Sequence, residues 1–270
     1  MRNSRKPQLY LYADDSCKTL SIREISSFLT EKLGDLEITL RPDYLIHNLG
    51  ARLEEVSRKL ASYKVKDPMT KLVPSDPFYG EIEYEKRVLE GRSNVLQGLM
   101  YDGFRFTSLL GDLRDNDEVT SDNIHISYSG RLLGTHETDG RYHARAIVCS
   151  FPSLISTSGI VEAPAKPREF YLRLRDNPHP LNQALQWDAM KEEMKGSFID
   201  FDDDRMTEVL KGYTLQAILY SLFETPFCDS KTCRLFNAHW QSEVLTSQLT
   251  DPEYCGYHDD LIRRLRQEWS

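Results

Sequence analysis

No stretch of the 270 residues approaches the ~18 consecutive apolar positions that a membrane-crossing helix needs. Residues 1–7 are basic, but no apolar stretch of leader length follows, because Tyr10, Tyr12, Asp14 and Asp15 come too soon. The expectation is a cytoplasmic protein. Excess positive charge is also missing: 34 Lys and Arg stand against 42 Asp and Glu, a formal net charge of −8. Nucleic acids and anionic membranes want a basic face, so neither is an expected partner. The chain has no Gly-rich phosphate loop, internal repeat or low-complexity tract. Cysteine is scarce, at five residues. In a reducing compartment, closely spaced cysteines serve as metal ligands or reactive groups rather than disulfides. What remains is ordinary globular composition, 40% apolar and 28% charged, on a chain long enough to bury a sizeable core.

The first forty residues read as β-α-β. Leu9, Leu11 and Ala13 alternate with tyrosines; Ser21 and Glu24 form a capping box; Ile22, Ile25, Phe28, Leu29 and Leu33 keep helical spacing until Gly34. Leu36, Ile38 and Leu40 resume alternation before Pro42, and a second helix is expected over 51–63. Residues 64–78 read as a loop and 81–113 as helical, followed by strands near 124–128 and 144–150 with a turn-rich segment at 130–141 between them. The proline-, serine- and charge-rich stretch 151–180 reads as a long loop with an extended piece at 170–174. A strongly apolar helix is expected over 206–223, and an amphipathic one over 259–269, capped by Asp259.

Near the carboxyl end Cys228 and Cys233 are separated by four residues, Cys255 follows after twenty-one, and His258 after two more. Two close pairs divided by an excursion that can close over an ion form the pattern of a tetrahedral zinc site. Four protein ligands leave no place for water, so the zinc is expected to be structural. His239, inside the excursion, is the alternative fourth ligand. Cys17 and Cys149 are distant and read as core or surface thiols.

That tail, following a long apolar helix, resembles archaemetzincins, a branch of the metzincin metallopeptidases whose catalytic helix carries H-E-x-x-H-x-x-G-x-x-H directly before a C-x4-C pair. Gly130-Arg-Leu-Leu-Gly-Thr135, Tyr142-His-Ala-Arg145 and Ile155-Ser-Thr-Ser-Gly-Ile-Val-Glu-Ala-Pro164 also resemble an uncharacterised, mainly archaeal metallopeptidase family. The resemblance implies a mixed α/β, metzincin-like zincin fold, a single body over 1–270: β-α-β and helix in 1–63, strands and long loop in 64–200, core helix and zinc-bound tail in 201–270. It also locates a departure. The positions of the three zinc histidines are Ala217, Ser221 and Phe227, the general-base position is Ile218, and the glycine position is Glu224. Paired imidazoles and a glutamate are what activate a zinc-bound water, so the resemblance implies a catalytically degenerate protein that binds a peptide or partner.

Other groups offer alternatives. His125, His136 and His143, with Glu162 and Glu169, could build the metal site of an active hydrolase. Lys166, Arg168, Arg173 and Arg175, joined by Arg141 and Arg145, could hold an anion or nucleotide. Ser156-Thr-Ser-Gly159 lacks the G-x-S-x-G elbow and a strand-turn-helix context, and reads as a hydroxyl-capped turn. The acidic run Asp202, Asp203, Asp204 lacks the glycine and final glutamate of a calcium loop and reads as a helix start.

Overall fold

Along β1 (Gln8–Tyr12), alternation sends Leu9 and Leu11 to one side and Tyr10 and Tyr12 to the other, and all four are buried. A strand buried on both faces needs cover on both. The computed structural model, which describes residues 6–73, 75–120, 122–176, 189–190, 192–250 and 253–270, supplies it with helices on each side. The larger sheet runs β2 (Glu37–Arg41), β1, β4 (Asn123–Ser129), β8 (Ser153–Ser156), β7 (Ile147–Val148), with the first four parallel and β7 antiparallel at the edge. A smaller sheet joins β3 (Met100–Asp102), β5 (Leu132–His136) and β6 (Tyr142–Arg145).

On the Leu9 side, α1 (Ile22–Leu33), α8 (Met206–Phe223), α9 (Gln241–Leu249) and α10 (Gly256–Trp269) pack into the main core. On the tyrosine side lie α2 (Tyr44–Asn48), α3 (Leu53–Ser62), α4 (Tyr79–Leu89) and α5 (Gly103–Leu113). Val209, Leu210, Leu215, Ala217, Ile218 and Leu219 of α8 are buried around the helix, as befits an element packed between the sheet, α1 and α9. Burying each large aliphatic side chain contributes ~1.5–3 kcal/mol. No helix among the described residues is long and apolar enough to cross a membrane.

The Ser21 cap forms on one side only. Its Oγ accepts from the Glu24 N–H at 3.3 Å, but its own N–H donates to Thr207 Oγ1 at 2.8 Å, so the expected return bond from Glu24 is replaced by a link between α1 and α8. The helical expectation over 81–113 is interrupted where Gly91 and Gly98 take left-handed φ of 68° and 74°, and β3 follows. The turn-rich segment 130–141 contains β5, whose first four residues are buried. The expected long loop 151–180 instead holds β8, α6 (Thr157–Glu162) and α7 (Arg168–Asp176), so 170–174 is helical, not extended; residues 177–180 lie outside the described set. The last helix begins at Gly256, with Cys255 at its cap and Asp259 inside the first turn.

Candidate metal centre

Beyond α8 the chain doubles back on itself. The Cys228 N–H donates to Leu235 O at 2.8 Å and the Cys233 N–H to Ser230 O at 3.0 Å, a tight loop that turns two sulfurs the same way. The Arg234 N–H then holds Glu253 O at 2.7 Å, bringing in the segment that ends at Cys255. Cys255 caps α10 and His258 lies in its first turn, three residues on and so on the same helical side. The ligand atoms of Cys228, Cys233, Cys255 and His258 all lie within 4.8 Å of one another.

These separations fit one ion. Metal–sulfur bonds of ~2.3 Å and metal–nitrogen bonds of ~2.0–2.1 Å in a tetrahedron put sulfurs ~3.8 Å apart and sulfur–nitrogen pairs ~3.5 Å apart. Cys228 Sγ and Cys255 Sγ are 3.8 Å apart, and Cys233 Sγ and His258 Nδ1 are 3.6 Å apart. The Cys255 Sγ to His258 Nδ1 distance is shorter, 3.2 Å. All five cysteines are free thiols; a disulfide would need sulfurs ~2.05 Å apart.

Burial pushes the Cys228 and Cys233 thiols up, the latter to about 12. Burial acts on Cys255 in the same sense but is outweighed by the His258 N–H, the neighbouring thiols and the Tyr257 N–H, leaving it below its ordinary value. Burial also lowers His258 and favours the neutral imidazole that a ligand must be. Three thiol sulfurs, one buried and two half-buried, gain from a dication, which deprotonates coordinating thiols outright. The donor set therefore fits a metal such as zinc.

His239 stands elsewhere. Its N–H donates to Glu243 at 3.0 Å, its carbonyl accepts from the Ala165 N–H at 2.8 Å, and it lines a separate cleft. Arg234 is a residue that sequence reasoning missed, appearing there as one polar residue among many. It is 2% exposed, donates to Glu208 O at 2.8 Å, pairs with the Glu208 carboxylate and with Glu253 at 3.6 Å, and lies over the Phe28 ring. It thus pins the tail to α8 and α1.

On α8, Ala217 and Ile218 are buried core residues, and the Ser221 hydroxyl donates to Ala217 O at 3.0 Å. The middle histidines do not converge. His125 is buried, stacked on Tyr10 with centroids 4.5 Å apart and bonded to the Tyr12 hydroxyl at 3.0 Å. His136 meets Tyr142 edge-on, and His143 bonds Asp139 at 2.9 Å. With Glu162 and Glu169 they form no group of three or more metal-ligating side chains among the described residues; the tail cluster does. The basic run does not gather either. Lys166 Nζ caps Val161 O at 3.1 Å, Arg173 pairs with Glu193 at 3.0 Å, Arg141 with Asp139 at 2.9 Å and Arg145 with Glu137. Asp202 accepts from the Lys18 N–H at 3.1 Å. Cys17 belongs to the core and Cys149 packs against it. The serine segment does follow a strand and open a helix, contrary to the sequence reading, but its hydroxyls are committed. Ser156 accepts from the Gly159 N–H and donates to Arg131 O, both at 2.7 Å; Thr157 donates to Asp14 at 2.8 Å; Ser158 donates to Gly130 O.

A cleft of about 320 Å³ opens at the β7 edge, lined by Ile147, Val148, Arg145, Tyr213, Phe227 and His239 among others. Fold and cluster together define a mixed α/β protein with a three-cysteine, one-histidine group able to hold a metal ion. The chain belongs to a family described as a probable metallopeptidase family (DUF6775), which it matches over residues 5–265. No curated protein matches it. Among solved structures it is similar to archaemetzincin from Methanopyrus kandleri, at 11% identity and a TM-score of 0.47, over 99% of this chain and 98% of that one.

Proposed function

We propose that this is a cytoplasmic, single-domain member of the metallopeptidase family. Its tail holds a structural zinc, its core helix has lost the catalytic metal, and its cleft serves to bind a peptide or partner protein. One observation carries the reading: α8 offers Ala217, Ile218 and Ser221 where the archaemetzincin-like pattern has its ligands and base, and the first two are buried in the core. The seven histidines never fall four apart, so no helix can present the paired imidazoles of that pattern. Cys228, Cys233, Cys255 and His258 would hold the zinc, which supplies a tetrahedral cross-link with no open coordination position. The β7 edge supports the second half of the proposal. Among the described residues no strand pairs with its outer side, which borders the cleft, and such an edge can take an extended peptide as a further strand.

Metal analysis of protein purified without chelator tests this, with one zinc per chain expected. A second, easily stripped metal would overturn the degenerate reading in favour of a hydrolase. Cys228→Ser or Cys255→Ser is expected to give insoluble or protease-sensitive protein. Soluble, fully zinc-loaded Cys255→Ser would remove the tail site from the proposal.

A further inference from the structure

The loop that carries two of the four cluster side chains also builds a wall of the β7 cleft. Phe227, directly before Cys228, lines that cleft, and so do Asn237, Ala238 and His239. Between them lies the turn in which the Cys228 N–H donates to Leu235 O at 2.8 Å and the Cys233 N–H to Ser230 O at 3.0 Å. On its far side the wall is tied to Ala165. His239 O accepts from the Ala165 N–H and Ala165 O accepts from the Gln241 N–H, both at 2.8 Å. Ala163 and Pro164, just before Ala165, line the cleft as well. What holds the cysteine turn therefore also holds the cleft wall.

The four side chains are unevenly sheltered. Cys233 is fully buried and His258 nearly so, while Cys228 and Cys255 are half-buried. The two more accessible sulfurs stand 3.8 Å apart. A disulfide needs ~2.05 Å, so ~1.8 Å of approach would join them. A bound dication keeps coordinating thiols in the thiolate form, and oxidation follows thiolate character and exposure. The sulfurs open to a small oxidant are thus two that already stand beside each other, and Cys233 is shielded from it.

We propose that the tail is a peroxide-sensitive clasp on the cleft: oxidation joins Cys228 to Cys255, releases the zinc and loosens the cleft wall. The inference rests on the structural-zinc reading above. One thiolate attacks hydrogen peroxide; the O–O bond breaks, hydroxide departs and the sulfur becomes a sulfenic acid. The second thiolate then displaces hydroxide from that sulfur and the S–S bond forms. The two sulfurs give up two electrons, and the peroxide oxygens take them as two hydroxides. Cys233 and His258 alone cannot complete a tetrahedral shell, so the ion leaves. A dithiol reductant, with zinc present, restores the four ligands.

Because Cys228→Ser and Cys255→Ser are expected not to fold, the test uses the full-length, zinc-loaded chain treated with hydrogen peroxide in modest molar excess. Released zinc is read with a chromogenic indicator, and the disulfide by tryptic mapping after alkylation of free thiols. Trypsin leaves the three cysteines on separate peptides, 212–231, 232–234 and 235–263. The expected result is loss of the bound zinc, loss of two hydrogens from the chain and a cross-link between 212–231 and 235–263. Peptide 232–234 is expected to be alkylated, and amide hydrogen exchange over 236–241 to quicken. Dithiothreitol with added zinc should return every reading to its start. A chain that carries no zinc as purified overturns the structural-zinc reading and the clasp with it. A loaded chain that keeps its zinc under peroxide overturns the clasp alone. Zinc loss without that cross-link, or with peptide 232–234 in the bond, does so as well, and unchanged exchange over 236–241 overturns its hold on the cleft.

Discussion

Glu224 ends α8 in a left-handed conformation, φ 59° and ψ 16°, which costs an L residue roughly 1–2 kcal/mol. Glycine escapes that strain but loses more chain entropy on folding, roughly 0.5–1 kcal/mol. The left-handed turn is thus made without the residue best suited to it. Glu224→Gly is therefore expected to stabilise by about 0.5 kcal/mol, and Glu224→Val, whose branched side chain resists positive φ, to destabilise by about 1 kcal/mol or more. Urea unfolding of the two variants checks this; shifts in the same direction would mean the turn carries no strain. At this scale the sequence was informative wherever spacing encodes chemistry. The intervals among Cys228, Cys233, Cys255 and His258 foretold that the four side chains would meet. Arg234 was not legible, because its burial depends on Glu208, Glu253 and Phe28, which are remote in the chain.

Among the elements, α1 was legible because its apolar spacing and end signals agree, and α8 because it is a long, strongly apolar run. The regions 130–141 and 151–176 were not. Leu132, Leu133, Gly134 and Thr135 of β5 are all buried, as is every residue of β8, and burial on both faces erases the alternation that betrays a strand. In α7, charged residues dominate around the buried Phe170, which hides the helical stripe. The same distinction between self-sufficient and dependent elements governs metal removal. α10 is held by Ile262, Leu265 and Trp269 and α9 by Val244, all buried against the main core, whereas the 228–234 loop and the 253–255 segment are tied down by the cysteine cluster and Arg234. A strong chelator is expected to expose trypsin sites at Lys231 and Arg234 while far-UV circular dichroism changes little, since α8 and α10 stay docked. Loss of most helical signal would instead make the cluster essential to the whole core, and an unchanged digestion pattern would leave the tail held without metal.

The whole molecule is a sheet covered on both faces, and its pH response should originate under the tyrosine-side cover. There His125 lies 3% exposed between Tyr10 and Tyr12, and β1 and β4 hold it at the centre of the sheet. Arg41 Nη1 donates to the Tyr12 hydroxyl at 2.8 Å, which leaves that hydroxyl's proton for His125 Nδ1. The neutral ring then carries its own proton on Nε2, buried without a partner. Burial is the main cause that lowers His125 to about 4; Glu118 opposes it, while Arg114 and Arg41 add to it. Unfolded, the same imidazole takes its proton near 6.5. Above that value both states are neutral and His125 gives no pH dependence. As pH falls from about 6.5 towards 4, only the unfolded chain binds the proton, so stability declines, by up to about 3 kcal/mol, and levels off below 4. Replacing His125 with Gln, which cannot titrate, should flatten that part of the curve while lowering stability at neutral pH through lost stacking on Tyr10. Urea unfolding of both proteins between pH 4 and 7.5 measures the difference. A parallel decline in His125→Gln would shift the origin to other groups and leave His125 as packing alone.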